Sequence, residues 1–261
     1  MKRLILAALA LLISACATHS TPSVEKNAKA HNIRGFSWYK KGDYDRAIFD
    51  YTKAIEINPG YAEAYYNRGI AFDDKGQYDR AIFDYTKAIE INPRYAEAYV
   101  NRGIAYGSKG KLDQAISNFN AAIELDPKGA NAYYNRGLAH RRKGQYGQAI
   151  SDYTKAIEVK PEYSSAYNSL AWILATCVDA RYRNGRKAVQ LAKQALKSNS
   201  NPLYLDTLAA AYAEVGKFAD AVQMQEEVVA LLREKGDAHK LMGEASKRLE
   251  FYRASKPWRE Q

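Results

Sequence analysis

The sixteen residues YDRAIFDYTKAIEINP stand at Tyr44–Pro59 and stand again, unchanged, at Tyr78–Pro93. A third version, YGQAISDYTKAIEVKP, runs from Tyr146 to Pro161. A catalytic site is assembled once, from singular residues. A segment rewritten at fixed spacing marks units that stack on copies of themselves. The first two copies are offset by 34 residues, which frames the chain as blocks 28–61, 62–95, 96–129 and 130–163.

Every block repeats one skeleton. Its first predicted helix sets a large residue, a small one and a ring on one face: Tyr65–Gly69–Phe72, Tyr99–Gly103–Tyr106, Tyr133–Gly137–His140. A glycine turn follows at Gly42, Gly76, Gly110 or Gly144. The second predicted helix sets Ala, an aromatic and Ala on one face: Ala47–Tyr51–Ala54, Ala81–Tyr85–Ala88, Ala115–Phe119–Ala122, Ala149–Tyr153–Ala156. Residues at i, i+4 and i+7 share a helix face. Gly69 and Ala81 present almost no side chain, so two antiparallel helices approach closely, with Tyr65 and Tyr85 filling the gaps beside them. Pro59, Pro93, Pro127 and Pro161 close the blocks, because proline cannot continue a helix. With 47% hydrophobic and 26% charged residues the chain has the composition of a folded protein, and its 21 tyrosines recur with the repeat.

A 34-residue helix–turn–helix carrying this pattern resembles the tetratricopeptide repeat. The resemblance covers most of residues 28–235. It implies an all-α fold: a right-handed superhelical solenoid of about six repeats, the last two divergent, with a capping helix at the C-terminal side. Residues 28–163 hold four regular repeats and 164–235 two divergent ones. In the fifth block the interval from Ala171 to Ala188 is five residues longer than that from Gly69 to Ala81, so its turn is enlarged. In the sixth, Ala209, Tyr212, Gly216 and Ala221 keep register, but Val228 replaces the last small residue and no proline follows. Within 236–261, Ala238, Leu241, Ala245, Leu249 and Tyr252 form one stripe of a last helix expected to stop near Pro257.

Ahead of the repeats, MKRLILAALALLISAC has a basic start, a short apolar run and small residues before Cys16. Residues 1–15 read as a secretory signal peptide, the apolar run being shorter than the roughly 20 residues a membrane span needs. Ile13–Cys16 resembles the lipobox of bacterial lipoproteins, with Ile where Leu is more usual. That resemblance implies lipidation of Cys16, a palmitate-type anchor, and, with Ala17 following, the periplasmic face of the outer membrane in a diderm host; the other reading is an ordinary signal peptide with a chance cysteine. Residues 16–27 are expected to be a lipidated N-terminus and flexible tether. Cys177 lies in an apolar helical run, is expected to be buried, and has no second cysteine for a disulfide once Cys16 is acylated.

Beside the packing face runs a second stripe, shifted by one residue: Asn32–Phe36–Tyr39, Tyr66–Ile70–Asp73, Val100–Ile104–Gly107, Tyr134–Leu138–Arg141 and Asn168–Trp172–Ala175. In the family the first helices line the concave face, so these residues are the candidate peptide groove, expected to stay open to partners. Two readings stand for the aliphatic members, groove and ordinary core; the aromatic ones favour an interface where one end stays wet. Asn67, Asn101 and Asn135 match the asparagine of the family's carboxylate clamp, but Glu63, Glu97 and the neutral Asn131 occupy the lysine places. A complete clamp is therefore rejected, and hydrogen bonding between helices is expected of these Asn and of the Arg beside them.

Charge is uneven along this face. Glu63, Asp73, Asp74 and Glu97 are acidic, whereas Arg141–Lys143 and the Arg181, Arg183, Arg186, Lys187 turn are basic. The basic groups read as solvated helix ends or as contacts to an anionic envelope surface. The net charge of +10 favours such surfaces weakly. Nucleic acid is excluded by the expected export. The four histidines are scattered without metal-ligand spacing, and no nucleophile elbow or phosphate loop occurs, so no enzyme activity, metal or cofactor is expected. The carboxylate pairs Asp43–Asp45 and Asp73–Asp74 read as helix N-terminal caps. Three function classes follow: a membrane-anchored scaffold of the cell envelope binding protein segments and assembling an envelope complex, a self-associating structural protein, or a binder of cell-wall glycan.

Overall fold

The structure, a computed structural model, describes residues 22–197, 201–234 and 239–260. Their regular structure is thirteen α-helices and one 3₁₀ turn, with no strand among the described residues. The helices pair as the period demands. The first four blocks are α1 (Pro22–Lys40) with α2 (Tyr44–Ile57), α3 (Ala62–Asp74) with α4 (Tyr78–Ile91), α5 (Ala96–Ser108) with α6 (Leu112–Leu125), and α7 (Ala130–Arg142) with α8 (Tyr146–Val159). The divergent blocks are α9 (Ser164–Thr176) with α10 (Gly185–Leu196), and α11 (Pro202–Glu214) with α12 (Phe218–Glu234). The last helix is α13 (His239–Arg253).

Residues 1–21, including Cys16 and the expected signal peptide, lie outside the described residues. From Pro22 onward the segment expected as tether is helical instead: proline at the first helical position and Glu25 in the first turn are both favourable at a helix N-terminus.

Turn chemistry sets the hairpins. Gly42, Gly76, Gly110, Gly144 and Gly216 all have φ between 70 and 77°, the left-handed conformation that costs glycine least. Around Gly76 the amide of Gly76 donates to Asp73 and that of Gln77 to Phe72, closing the helix end with its own carbonyls. The second helices stop where Asn58, Asn92, Asp126 and Lys160 turn extended, as residues before proline do.

Two compact units make up the chain, residues 1–105 and 106–261. In the first, Tyr51 and Tyr85 are fully buried against the small residues of the facing helices. A Cβ on Gly69 would stand 2.7 Å from the Tyr85 ring, so the close approach read from Gly69 and Ala81 is what packs this hairpin. In the second unit Gly137 stands in the same relation to Tyr153. The core of that unit extends through Leu170, Ile173, Ala209 and Tyr252, and Cys177 is fully buried within it. The enlarged fifth turn holds the 3₁₀ segment Ala180–Tyr182; Arg183 within it donates to the carbonyls of Cys177 and Val178 and to Glu214 at 3.0 Å. Asp206 on α11 and Gln225 on α12 are buried and bonded together, and Arg248 on α13 meets Asp206 at 2.8 Å, docking the last helix.

Candidate functional site

The first helices carry a ladder of buried charge. Arg68 on α3 grips Asp84 on α4 with two bonds of 2.8 Å, and its third nitrogen donates to Thr52 on α2 of the preceding block at 3.0 Å. Arg136 does the same with Asp152 and Asn120, Arg34 pairs with Asp50, and Arg102 reaches Thr86. Arg68 and Arg136 thus each join successive second helices through one planar fork. At the fifth block the place is taken by Leu170.

The asparagines beside these arginines tie first helix to first helix. Asn67 donates to Asn32 Oδ1 at 3.0 Å, and Asn101 donates to the Tyr66 hydroxyl at 3.0 Å. Asn135 turns back to the Asn131 carbonyl of its own helix. The expected interhelical role therefore holds for Asn67 and Asn101 and for the arginines.

These bonds change the standing of the candidate groove. Asn32 is only 3% exposed, locked by Asn67, by Glu63 and by the Tyr61 hydroxyl, and is not offered to a ligand. Phe36 is 47% exposed beneath Lys40, and Tyr39 is half-buried with its hydroxyl donating to Asp74 at 2.6 Å. Tyr66 lies against Tyr95, ring centroids 4.7 Å apart, and Ile70 packs against the cluster of Phe72 and Tyr85. Val100 and Ile104 are half-buried. In the second unit Tyr134 sits between Tyr153 and Tyr163, Leu138 packs on the core, and Asn168 is half-buried. The stripe is neither core nor fully open wall.

Asp73 and Asp74 correct the reading as N-terminal caps. They are the last two residues of α3, where the helix dipole opposes negative charge, and the following helix starts after Gln77. Burial, then the neighbouring Asp74, pushes the Asp73 carboxyl up to about 6. Asp43 does cap, accepting the Arg46 amide at 3.1 Å.

The expectation of an open inner face fails at Arg141 and Trp172. The segment after α13 turns at Ser255 and meets residues near the C-terminal ends of α11, α9 and α7. Arg259 pairs with Glu214 at 2.7 Å. The amide of Glu260 donates to the Thr176 carbonyl at 3.0 Å, its carboxylate accepts from the Trp172 indole at 2.9 Å, and Arg141 lies 3.6 Å away. Arg248 is sandwiched between the rings of Trp172 and Trp258, 5.6 and 5.8 Å from their centroids. Pro257 does not end the helix; Ser255 does, with φ 54°.

Two exposed rings on second helices escaped the sequence reading. Phe49 on α2 and Phe83 on α4 are 60% and 57% exposed, in equivalent places one repeat apart. Phe83 borders a shallow cleft of about 430 Å³ lined by Arg68, Phe72, Asp79, Arg80 and Asp84. The signal was present in the duplicated AIFDY, where the fourth block has AISDY.

Four models of the tetratricopeptide repeat match the sequence, over residues 62–95 and 130–163, 35–76 and 105–144, 84–117, and 203–235. Together they span more than half of the chain, and the chain belongs to the tetratricopeptide-repeat family. The first two ranges coincide with the second and fourth blocks framed from the duplication. No curated protein matches the sequence. Among solved structures it is similar to PilF of Pseudomonas aeruginosa, with TM-score 0.73 and 18% identity over 90% of this chain and 100% of that one. It is similar to PilW, described as a widely conserved type IV pilus biogenesis factor, with TM-score 0.70 and 18% identity over 83% and 97%. A third is MamA of Desulfovibrio magneticus RS-1, with TM-score 0.57 and 21% identity over 67% and 98%. At these identities the likeness is one of fold.

Proposed function

We propose that the protein is a lipid-anchored adaptor of the bacterial cell envelope that holds segments of partner proteins on its first-helix faces and assembles an envelope complex. The observation that carries this reading is the stripe beside the packing face. Its helices are already joined by the arginine and asparagine ladders, yet Phe36 remains 47% exposed and Tyr39, Tyr66, Ile70 and Ile104 stay half-buried along the stripe. Amphipathic rings in such a setting suit a partner interface. The fold likeness to a type IV pilus biogenesis factor supports assembly as the context, and the lipobox supports the anchor. A photo-crosslinking residue at position 36 is expected to trap a defined partner in intact cells, while the same residue at position 56, on the outward side of α2, traps none. Equal trapping at both places defeats the groove. Cys16→Ala should move the protein from the membrane fraction to the soluble one, and retention in membranes defeats the anchor.

One observation favours the self-association reading. Phe49 and Phe83 stand exposed in register, and matched apolar rings of this kind bury well against a second copy. Sedimentation of Cys16→Ala protein decides it: a monomer throughout the micromolar range removes this reading, and a dimer abolished by Phe49→Ser with Phe83→Ser supports it.

A further inference from the structure

The segment Ala254–Glu260 has no helix or strand of its own, yet it is seated across three successive first helices. Its polar anchors are specific in kind. A ring, Trp258, closes over the buried Arg248 guanidinium and meets Phe251 edge-on at 5.1 Å. A cation, Arg259, meets Glu214, the last residue of α11, and reaches toward the Ala175 carbonyl at 3.4 Å. A carboxylate, Glu260, takes the Trp172 indole and faces Arg141. The cation and the Glu260 amide meet carbonyls that the last turn of α9 leaves without helical partners, so the fit is to helix ends as well as to side chains.

The attachment is nevertheless made almost wholly by side chains. Among the described bonds a single backbone hydrogen bond, from Glu260 to Thr176, joins the segment to α9. Its hinge, Ser255, holds φ 54° in the same turn pattern where five repeat turns use glycine, with the Ser255 amide donating to Tyr252 and that of Lys256 to Phe251. A side chain in that conformation is disfavoured. Irregular segments without a backbone hydrogen-bond ladder are among the first to open in a folded protein.

From this we infer that the ends of α7, α9 and α11 form a binding site for an extended protein segment presenting an aromatic, a basic and an acidic residue in succession, and that Trp258–Arg259–Glu260 occupies it in cis until a partner bearing that pattern displaces it. The inference rests on the adaptor reading but concerns the second unit alone, so it fails or stands separately from the crosslink at position 36. Being tethered, the cis segment competes at a high effective concentration, which sets a threshold that a casual partner does not pass.

The test uses the full chain and the acetylated peptide ASKPWRE, the sequence of residues 254–260. In the variant Trp258→Ala with Glu260→Ala the site is vacated, and fluorescence anisotropy is expected to show the labelled peptide binding at least tenfold more tightly than to the unaltered chain. Peptides ASKPARE and ASKPWRK should bind the variant at least tenfold more weakly than the parent, and adding Trp172→Ala should abolish binding. A folded variant that ignores the peptide, or equal binding by the unaltered chain, overturns the inference. Should the variant not fold, hydrogen exchange on the unaltered chain decides. Saturating peptide must speed exchange of the Glu260 amide several-fold, leaving the amides of α9 unchanged, and an unaltered Glu260 rate overturns the proposal.

Discussion

Single residues carry sharply different weights in this molecule, and their position in the repeat explains why. Gly69 is required by contact rather than by turn geometry, because the Tyr85 ring occupies the space a Cβ would take. Gly69→Ala is expected to destabilise by about 2 kcal/mol through overpacking, read as a lowered urea midpoint with unchanged slope. Asp73 works in the opposite sense. Its folded carboxyl, raised to about 6, binds a proton more readily than the unfolded one, so protonation stabilises below the unfolded value and that stabilisation is lost as pH rises through about 6. Asp73→Asn is therefore expected to gain about 1 kcal/mol at neutral pH, the full shift being discounted for partial exposure, with the gain fading toward pH ~4 in thermal melts. The acidic pair was visible in the sequence. Which end of which helix it occupied was not, because carboxylates near a turn serve equally as the start of one helix or the end of another.

At the scale of the helix pair, the arginine fork is what couples one hairpin to the next. Removing Arg68 leaves Asp84 buried without its bidentate partner, and Arg68→Leu is expected to cost about 3–5 kcal/mol. The double variant Arg68→Leu with Asp84→Leu should recover most of that loss, as apolar replacement of a buried pair often does, and Leu170 at the equivalent place shows that a leucine is tolerated in the frame. Chemical denaturation of both variants checks the pair of values. Hairpins, glycine turns and proline stops were legible because each depends on residues within one period. The arginine–aspartate pairs are half legible: the arginine reads as a group bonding between helices, but no spacing rule singles out its partner sixteen residues on. Nothing local marked Asp50, Asp84 and Asp152 as buried.

At the scale of the whole chain, what escapes the sequence is the contact that breaks the period. The covering of Trp172 by Glu260 joins residues 88 apart, far outside any repeat interval, and no spacing rule reaches that distance. The two cysteines offer a count on the intact molecule. Cys177 is fully buried, and burial pushes its thiol up, which further suppresses the reactive thiolate. If the proposed anchor acylates Cys16, protein extracted from membranes in mild detergent is expected to show no thiol reactive toward a maleimide until denatured, and then one. A second thiol on denaturation contradicts the lipidation.

The arginine fork also makes the fold modular in its own length. Arg68 reaches back to Thr52 and Arg102 to Thr86, and Thr52 and Thr86 sit in identical sixteen-residue surroundings. Excision of residues 62–95 would bring Arg102 to Thr52 and Asn101 to Asn32, recreating contacts that Arg68 and Asn67 already make. Unequal crossing-over between the duplicated coding stretches would therefore shorten or lengthen the protein in whole quanta without opening a seam, giving evolution a dial for reach that leaves both ends intact.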